Sequence, residues 1–290
     1  MTVFEILNWA THYLKDHCIE NPRLNAELLM VHSLQGSRES LYTRLKEPLG
    51  EEERDTFERL VRRRISGEPL QYILGKQEFW SIDLKVDRRC FIPRPETEFL
   101  VEETVSILSR LSSSETPRVL EIGTGSGAIA IALAKEMKEV LIVATDLSRE
   151  ALTLAKENAT QLGLLSKIRF LQANLFEPFY PLGEKGPFSI ILSNPPYISR
   201  PEIERLSREV KDFEPLLALD GGDDGLDVYR KIISQAPDYL KEEGWLLLEV
   251  GKGQADEVSE LIERSGGFKK PERVKDLAKI ERVVKAKRKV

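Results

Sequence analysis

Apolar residues recur at helical spacing through residues 1–65 and in alternating strand-like and helix-like blocks from Arg118 onward. Phe4, Ile6, Leu7, Ala10, Tyr13 and Leu14 fall on one stripe, because residues three and four apart stack along a helix face. Leu24, Leu28, Leu29, Val31 and Leu34 make a second stripe between Asn21-Pro22 and Gly36. Proline suits a helix's first turn, and glycine its end. A third helix is expected over Glu51 to Ile65, with Phe57, Leu60, Val61 and Ile65 inward and Gly67 as its stop. These helices predict a small all-helical domain over residues 1–75.

A connecting segment, residues 76–95, follows. Phe79-Trp80-Ser81-Ile82-Asp83-Leu84-Lys85-Val86 alternates as a strand does and is read as one arm of a β-hairpin. Phe91-Ile92-Pro93-Arg94-Pro95 is an extended loop, since its prolines bar both helix and ladder. Glu96 to Leu111 reads as a helix, and Ser112-Ser113-Ser114-Glu115-Thr116-Pro117 as a flexible joint. Strands are then expected at 118–122, 140–145, 168–172, 188–193 and 245–250, with helices at 127–136, 149–162, 227–241 and 254–265. Two final strands lie within Phe268–Val284, around Asp276-Leu277-Ala278. Repeated β-α units predict an α/β domain over residues 96–290, its seven-stranded sheet doubly wound and mostly parallel.

Composition narrows the class. The chain has 290 residues, 41% hydrophobic and 31% charged, as a globular protein does. It contains no apolar run near the ~20 residues that span a bilayer. The first residues, Met1-Thr2-Val3-Phe4-Glu5-Ile6-Leu7, lack the basic and apolar segments of a signal peptide. Cys18 and Cys90 form no disulfide framework. A cytoplasmic protein without membrane association is expected. The net charge of −5 argues against a protein held by nucleic-acid phosphates, and Lys285-Ala286-Lys287-Arg288-Lys289 is read as a solvated tail. His12 and His17 point about 140° apart on a helix and cannot share a metal, so no metal is expected.

The first strand of the α/β domain runs into Glu121-Ile122-Gly123-Thr124-Gly125-Ser126-Gly127. Glycines there let a ligand approach the backbone, and the helix that follows presents free N–H groups. Asp146 ends the next strand, where a carboxylate can accept from both hydroxyls of a ribose. Gly123-x-Gly125-x-x-Ala128 also fits the fingerprint of nicotinamide enzymes, so an oxidoreductase competes at this step. An acidic residue just before the first glycine, here Glu121, is similar to what many class I methyltransferases carry and favours S-adenosylmethionine. His12, His17 and His32, the expected partners for hydride transfer, all fall in the helical domain. Asn174, after the third strand, can accept from an adenine amino group or serve as a turn asparagine.

The fourth strand ends in Asn194-Pro195-Pro196-Tyr197. Two prolines force the chain out of the sheet at its carboxyl edge, where open α/β sheets bind ligands. The amide oxygen of Asn194 and the carbonyl of Pro195 suit the two hydrogens of a planar NH2 group, with the Tyr197 ring on its face. Fixing both hydrogens aims a delocalised nitrogen lone pair at an electrophile. A DNA adenine or RNA guanine exocyclic-amine N-methyltransferase uses the same grip, but needs a basic groove to flip a base. A non-catalytic binding module that kept the fold is the reading outside enzymes.

Gly67-Glu68-Pro69-Leu70-Gln71-Tyr72-Ile73-Leu74-Gly75 with Glu78-Phe79, then Phe91-Ile92-Pro93-Arg94-Pro95-Glu96-Thr97-Glu98, the glycine loop and Asn194-Pro195-Pro196-Tyr197 occur in this order. Glu214-Pro215, Ala218-Leu219 and Gly221-Gly222-Asp223-Asp224-Gly225-Leu226 add a fifth motif. Over residues 65–285 this pattern resembles the peptide chain release factor glutamine methyltransferases, the PrmC/HemK family. The resemblance implies a class I methyltransferase fold and methylation, in translation termination, of the glutamine of the Gly-Gly-Gln loop of class 1 release factors. S-adenosylmethionine would be the donor and S-adenosylhomocysteine the product. It carries the catalytic grip to Asn194, Pro195 and Tyr197, with Pro196 beside them at the substrate. The cofactor residues implied are Glu121, Gly123, Thr124, Gly125, Ser126, Gly127, Asp146 and Asn174. Asn174 departs from the commoner acidic residue, and Lys279-Ile280-Glu281-Arg282 from a frequent Gly-Arg-Asp-Arg-like turn.

Three further features have plain readings. Arg94 and Glu96 either face a ligand or pair at the helix start. Gly221–Gly225 is a structural turn, lacking the spaced ligands of a calcium loop. Arg62-Arg63-Arg64 lies on the solvated face of its helix, and is a candidate contact if the helical domain grips the protein substrate.

Overall fold

Thr2 starts the first helix through a capping box: its hydroxyl accepts from the Glu5 N–H at 3.3 Å, and the Glu5 carboxylate accepts from the Thr2 N–H at 2.8 Å. The computed structural model describes residues 1–111, 115–177, 179 and 186–290. The chain divides into two compact units, Met1–Lys76 with Ser207–Phe213, and Gln77–Leu206 with Glu214–Val290. The joint expected at 112–117 lies partly outside the described residues.

The first unit holds α1 (Val3–Asp16), α2 (Pro22–Ser33), α3 (Arg38–Thr43), α4 (Glu51–Ile65) and α5 (Leu70–Leu74). Its core gathers Val3, Ile6, Leu7, Ala10 and Leu14 with Leu29, Met30, Phe57, Leu60 and Val61. Phe4 is exposed, and Val3 takes the inward place. The stripe expected on α2 is rotated: Leu24 is exposed, while Asn25, Ala26, Glu27, Leu29 and Met30 are buried. Polar residues share this face because remote partners satisfy them. Glu27 receives Arg23 and Arg38, each at 2.7 Å, and the Tyr42 hydroxyl at 2.9 Å.

The arginine run of α4 is likewise not one solvated face. Arg62 is exposed, and Arg63 pairs with Glu68 at 2.7 Å. Arg64 is buried; it donates to Asn25 at 2.8 Å and the Glu68 carbonyl at 3.1 Å, and pairs with Glu209. A guanidinium's fan of donors can satisfy three acceptors at once, which is what lets it sit inside the bundle.

In the second unit the segment read as one strand, 79–86, is a hairpin with its turn inside it. β1 (Lys76–Phe79) pairs with β2 (Ile82–Lys85) through Trp80 and Ser81 at φ +53° and +52°. Such a turn ordinarily takes glycine or asparagine. Here Trp80 is anchored by its backbone N–H to Glu98 at 2.7 Å and its indole N–H to Glu136 at 2.8 Å. The extended loop 91–94 and a single 3-10 turn, Pro95–Thr97, lead into α6 (Glu98–Arg110).

The main sheet comprises β3 (Arg118–Ile122), β4 (Leu141–Asp146), β5 (Ile168–Gln172), β6 (Phe188–Ser193), β7 (Leu240–Glu249), β8 (Glu272–Lys275) and β9 (Glu281–Lys287). Their order is β5-β4-β3-β6-β7-β9-β8, with β3 to β7 parallel and β9 antiparallel to both neighbours. Helices α7 (Ala128–Glu136) and α8 (Arg149–Gln161) join α6 on one face. The short α9 (Arg200–Ile203) and α10 (Arg208–Lys211) precede α11 (Asp227–Tyr239) and α12 (Ala255–Ser265), which cover the other face. The period of two is visible along β3, where Val119 joins one core and Leu120 the other.

β7 begins five residues before the expected 245, with Glu243 at φ +59° and a register shift opposite Phe188 and Ile190, the signs of a bulge. The basic segment at 285–289 is no solvated tail. Ala286 is buried, Lys285 pairs with Glu103 at 2.8 Å and Glu272 at 3.3 Å, and Lys287 pairs with Glu243 at 2.8 Å. Pairing with β7 draws these lysines into β9, and carboxylates on neighbouring elements offset their charge.

Candidate active site

The glycine loop leaves β3 with Gly123, Gly125 and Gly127 at φ +76°, +56° and +85°, a region costly for other residues. Gly127 is also required sterically, since a Cβ there would stand 3.1 Å from both Ala155 Cβ and Ile131 Cδ1. Around Gly125 nothing lies within 4 Å of such a Cβ. Gly123 is exposed and Gly125 half-buried, whereas Thr124, Ser126 and Gly127 are buried beneath them.

Asp146, at the end of β4, accepts from the Gly125 N–H at 2.9 Å and the Ser148 N–H at 2.8 Å. Burial pushes its carboxyl upward while these N–H groups pull it back. A carboxylate offers about four lone-pair sites, so acceptor capacity is left for a ribose. Glu121 is fully buried; one oxygen accepts from the Thr124 hydroxyl at 2.8 Å. Its other oxygen has no partner among the described residues. Burial, with Asp146 nearby, raises its pKa to about 7. An acceptor without a partner beneath an open glycine loop fits a ligand that brings cationic or N–H donors, as the methionine end of S-adenosylmethionine does. Asn174 sits past the end of β5, exposed, with its NH2 donated to Glu177 at 2.8 Å.

Asn194 follows β6 next to this loop. The Ser193 hydroxyl donates to the Ile122 carbonyl at 2.7 Å, locking the ends of β3 and β6 together. A Cβ on Gly123 would be 3.9 Å from the Asn194 carbonyl oxygen. Asn194 Nδ2 donates to Thr97 Oγ1 at 3.2 Å. Pro195 is buried, and Pro196 and Tyr197 are half-buried.

Three glycines cradle Tyr197. A Cβ on Gly225 would meet its carbonyl oxygen at 2.5 Å, one on Gly221 its Cα at 2.8 Å, and one on Gly251 its ring at 3.0 Å. Gln254 Nε2 donates to the same carbonyl at 3.0 Å. Ile198 bridges to Asp220 through N–H···O bonds of 3.0 and 2.9 Å with Leu219 and Gly221. The Gly221–Gly225 turn is thus a support for the loop after Tyr197, and Asp223 within it and Asp220 just before it hold Arg200. Burial pushes the Tyr197 phenol up to about 12, so it stays protonated at neutral pH.

Arg94 does not pair with Glu96. Its guanidinium binds the buried Glu214, which also accepts from the Ile92 N–H at 3.2 Å, and lies 4.4 Å from the Phe91 ring centroid. Glu96 pairs instead with Arg282 at 3.4 Å.

Thr97 and Glu249 are site residues that the sequence reading did not single out. Glu249 ends β7 beside Asn194, 3% exposed, with one oxygen unpartnered among the described residues. Burial raises its carboxyl to about 7, and the neighbouring Thr97, Arg282 and Asn194 side chains oppose the rise. The available signal was an acidic residue closing an apolar run, Trp245-Leu246-Leu247-Leu248-Glu249.

Five parallel strands with an antiparallel β9 set between β7 and β8, a glycine turn after the first strand and a carboxylate ending the second define a class I methyltransferase. Comparison with known proteins makes this narrower. The PrmC N-terminal domain family matches residues 5–75, and the Methyltransferase small domain family matches residues 102–209. The release factor glutamine methyltransferase of Rhodopirellula baltica is 40% identical over 284 residues, covering 98% of this chain and 95% of its own. That of Geobacter sulfurreducens is 42% identical over 265 residues, with 91% and 89% covered. A solved human methyltransferase 10 domain containing protein shares the fold, with TM-score 0.53 and 16% identity over 71% of this chain and 88% of that one. The chain belongs to the release factor glutamine methyltransferase family.

Proposed function

We propose that this protein methylates the side-chain amide nitrogen of the glutamine in the Gly-Gly-Gln loop of class 1 peptide chain release factors. The observation that carries the reading is Asn194: its NH2 is already donated to Thr97, so its oxygen is the end left for a substrate NH2, beside the open glycine loop. The methyltransferase fold and family imply S-adenosylmethionine, held by Gly123 and Gly125 from the backbone, by Asp146 at the ribose and over the unpartnered Glu121 oxygen. Thr124 and Ser126 support that loop from beneath, and Asn174 borders the adenine end. Bound there, S-adenosylmethionine would supply an electrophilic methyl carbon with a neutral thioether as leaving group.

The work of the chain is then alignment. The Asn194 oxygen and the Pro195 carbonyl accept the two hydrogens of the glutamine amide, and the Tyr197 ring covers its plane, with Pro196 stiffening the turn. Holding the nitrogen in line replaces a bimolecular encounter by a positioned one. Nitrogen gains the methyl and loses one proton, keeping the product amide neutral. A protonated Tyr197 presents an uncharged ring to the amide.

The test is incubation with S-adenosylmethionine and a purified class 1 release factor, followed by peptide mass spectrometry. A single methyl on the Gly-Gly-Gln glutamine is expected. Label appearing on DNA or ribosomal RNA instead would move the substrate to nucleic acid. No helix among the described residues is long and apolar enough to cross a membrane.

A further inference from the structure

Asparagine carries an oxygen and an NH2 at two ends of nearly the same shape, and only the oxygen accepts a hydrogen. Torsion about its last bond is broad and roughly two-fold, so the bare side chain presents either end at similar cost. A grip on a substrate NH2 therefore needs a fixed partner at the other end. The Thr97 hydroxyl is that partner, with Asn194 Nδ2 at 3.2 Å from its Oγ1. Thr97 is buried and Asn194 half-buried, so water competes little for the bond.

A hydroxyl orients its neighbour only if its own backbone is held. Thr97 closes the 3-10 turn Pro95–Thr97, and its N–H donates to the Arg94 carbonyl at 3.0 Å. The Arg94 guanidinium in turn binds Glu214 and lies over the Phe91 ring. Glu214 is buried and also accepts from the Ile92 N–H at 3.2 Å, so Ile92 and Arg94 are fastened to one carboxylate. The segment after Glu214 is itself tied to the Asn194 loop, since the Leu219 carbonyl accepts from the Ile198 N–H at 3.0 Å. These contacts close a circuit: Asn194, Ile198, Leu219, Glu214, Arg94, Thr97 and back to Asn194. The chain on either side of the Thr97–Asn194 bond is joined a second time, through the Arg94–Glu214 ion pair.

We infer that Thr97 is a positioning residue for methyl transfer, keeping the Asn194 oxygen toward the substrate amide, and that Arg94 with Glu214 acts on the reaction through Thr97. A planar guanidinium suits this place, because it binds a carboxylate and an aromatic face at once. Without the Thr97 hydroxyl, an Asn194 NH2 kept inward has no acceptor, a loss that favours turning the amide over. Its NH2 then faces a substrate that also offers only hydrogens, and the grip is lost.

This positioning role rests on the proposed amide substrate, and its test separates the two. In enzyme active on a release factor, Thr97→Val, which keeps the side-chain shape, should lower kcat/KM for the release factor about tenfold. Affinity for S-adenosylmethionine should stay within about twofold. Thr97→Ser, which keeps the hydroxyl, should restore near-full activity. Arg94→Lys keeps the charge but not the planar fork, and should lower kcat/KM as well. Added to Thr97→Val, it should lower kcat/KM by no more than about twofold further, because its effect passes through Thr97. In the free enzyme, the side-chain NH2 resonances of Asn194 should shift in Thr97→Val and in Arg94→Lys, and return in Thr97→Ser. Full kcat/KM in Thr97→Val, additive losses in the double variant, or Asn194 resonances blind to both substitutions would overturn the inference. Shifted resonances in an enzyme that leaves release factors unmethylated would uphold the positioning of Asn194 and reject the substrate.

Discussion

Gly251 lies against the ring of Tyr197: a Cβ at position 251 would stand 3.0 Å from Tyr197 Cδ2 and 3.2 Å from Cε2, and 2.6 Å from Gln254 Oε1. Gly251, two residues past the end of β7, thus backs the ring that we propose covers the substrate amide. Gly251→Ala should press on the Tyr197 ring and on Gln254, which holds the Tyr197 carbonyl, an overpacking that typically costs about 1–3 kcal/mol. The expected result is a raised KM for the release factor with unchanged affinity for S-adenosylmethionine, measured by steady-state kinetics and calorimetry.

Asn194→Ala removes the acceptor itself. Losing a group that acts at the transition state costs on the order of 2–4 kcal/mol. The expected outcome is a large fall in kcat with cofactor affinity retained, and near-full kcat would refute the alignment role.

Arg62 and Arg64, two residues apart, should behave oppositely. Arg64→Ala leaves Asn25 and the Glu68 carbonyl without their donor inside the helical unit, which costs about 1–3 kcal/mol. Arg62→Ala, at an exposed site, should stay within about 0.5 kcal/mol. Urea denaturation of the two variants checks this. The contrast also means that a triple substitution of Arg62-Arg63-Arg64 would disturb folding, so only Arg62 can be changed cleanly to look for a substrate contact.

Glu121 links stability to pH. Its folded-state carboxyl is raised to about 7 by burial, so the neutral form belongs to the fold. Its contribution is present at pH below the ordinary carboxylate range and declines as pH rises toward 7, where the buried group must ionise. Glu121→Gln stays neutral throughout. The melting temperature of Glu121→Gln relative to the parent should therefore climb between about pH 5 and 7, and a difference independent of pH would contradict the assignment.

The alternation of strands and helices was legible because each element carries its own period. Strands 118–122, 168–172 and 188–193 could be placed to the residue, since each is a short apolar run with clear punctuation. The hairpin turn at Trp80-Ser81 was not, because it lacks glycine and depends on Glu98 and Glu136 for its anchors. The α2 face was misjudged because apolarity alone was counted, whereas Asn25 and Glu27 enter the core with partners from Arg64, Arg38 and Tyr42.

By itself the sequence determined the order of elements, the glycine loop and the Asn-Pro-Pro-Tyr exit from β6. These depend on local φ preferences, missing N–H donors and side-chain period, which neighbouring residues specify. Tertiary structure alone decided that Thr97 meets Asn194, that Arg94 binds Glu214 rather than Glu96, and that Lys285 and Lys287 run in a strand. Those outcomes turn on burying polar groups. Burial of a charge is unfavourable until a partner arrives from elsewhere in the chain, and the arrival is set by how the sheet is wound.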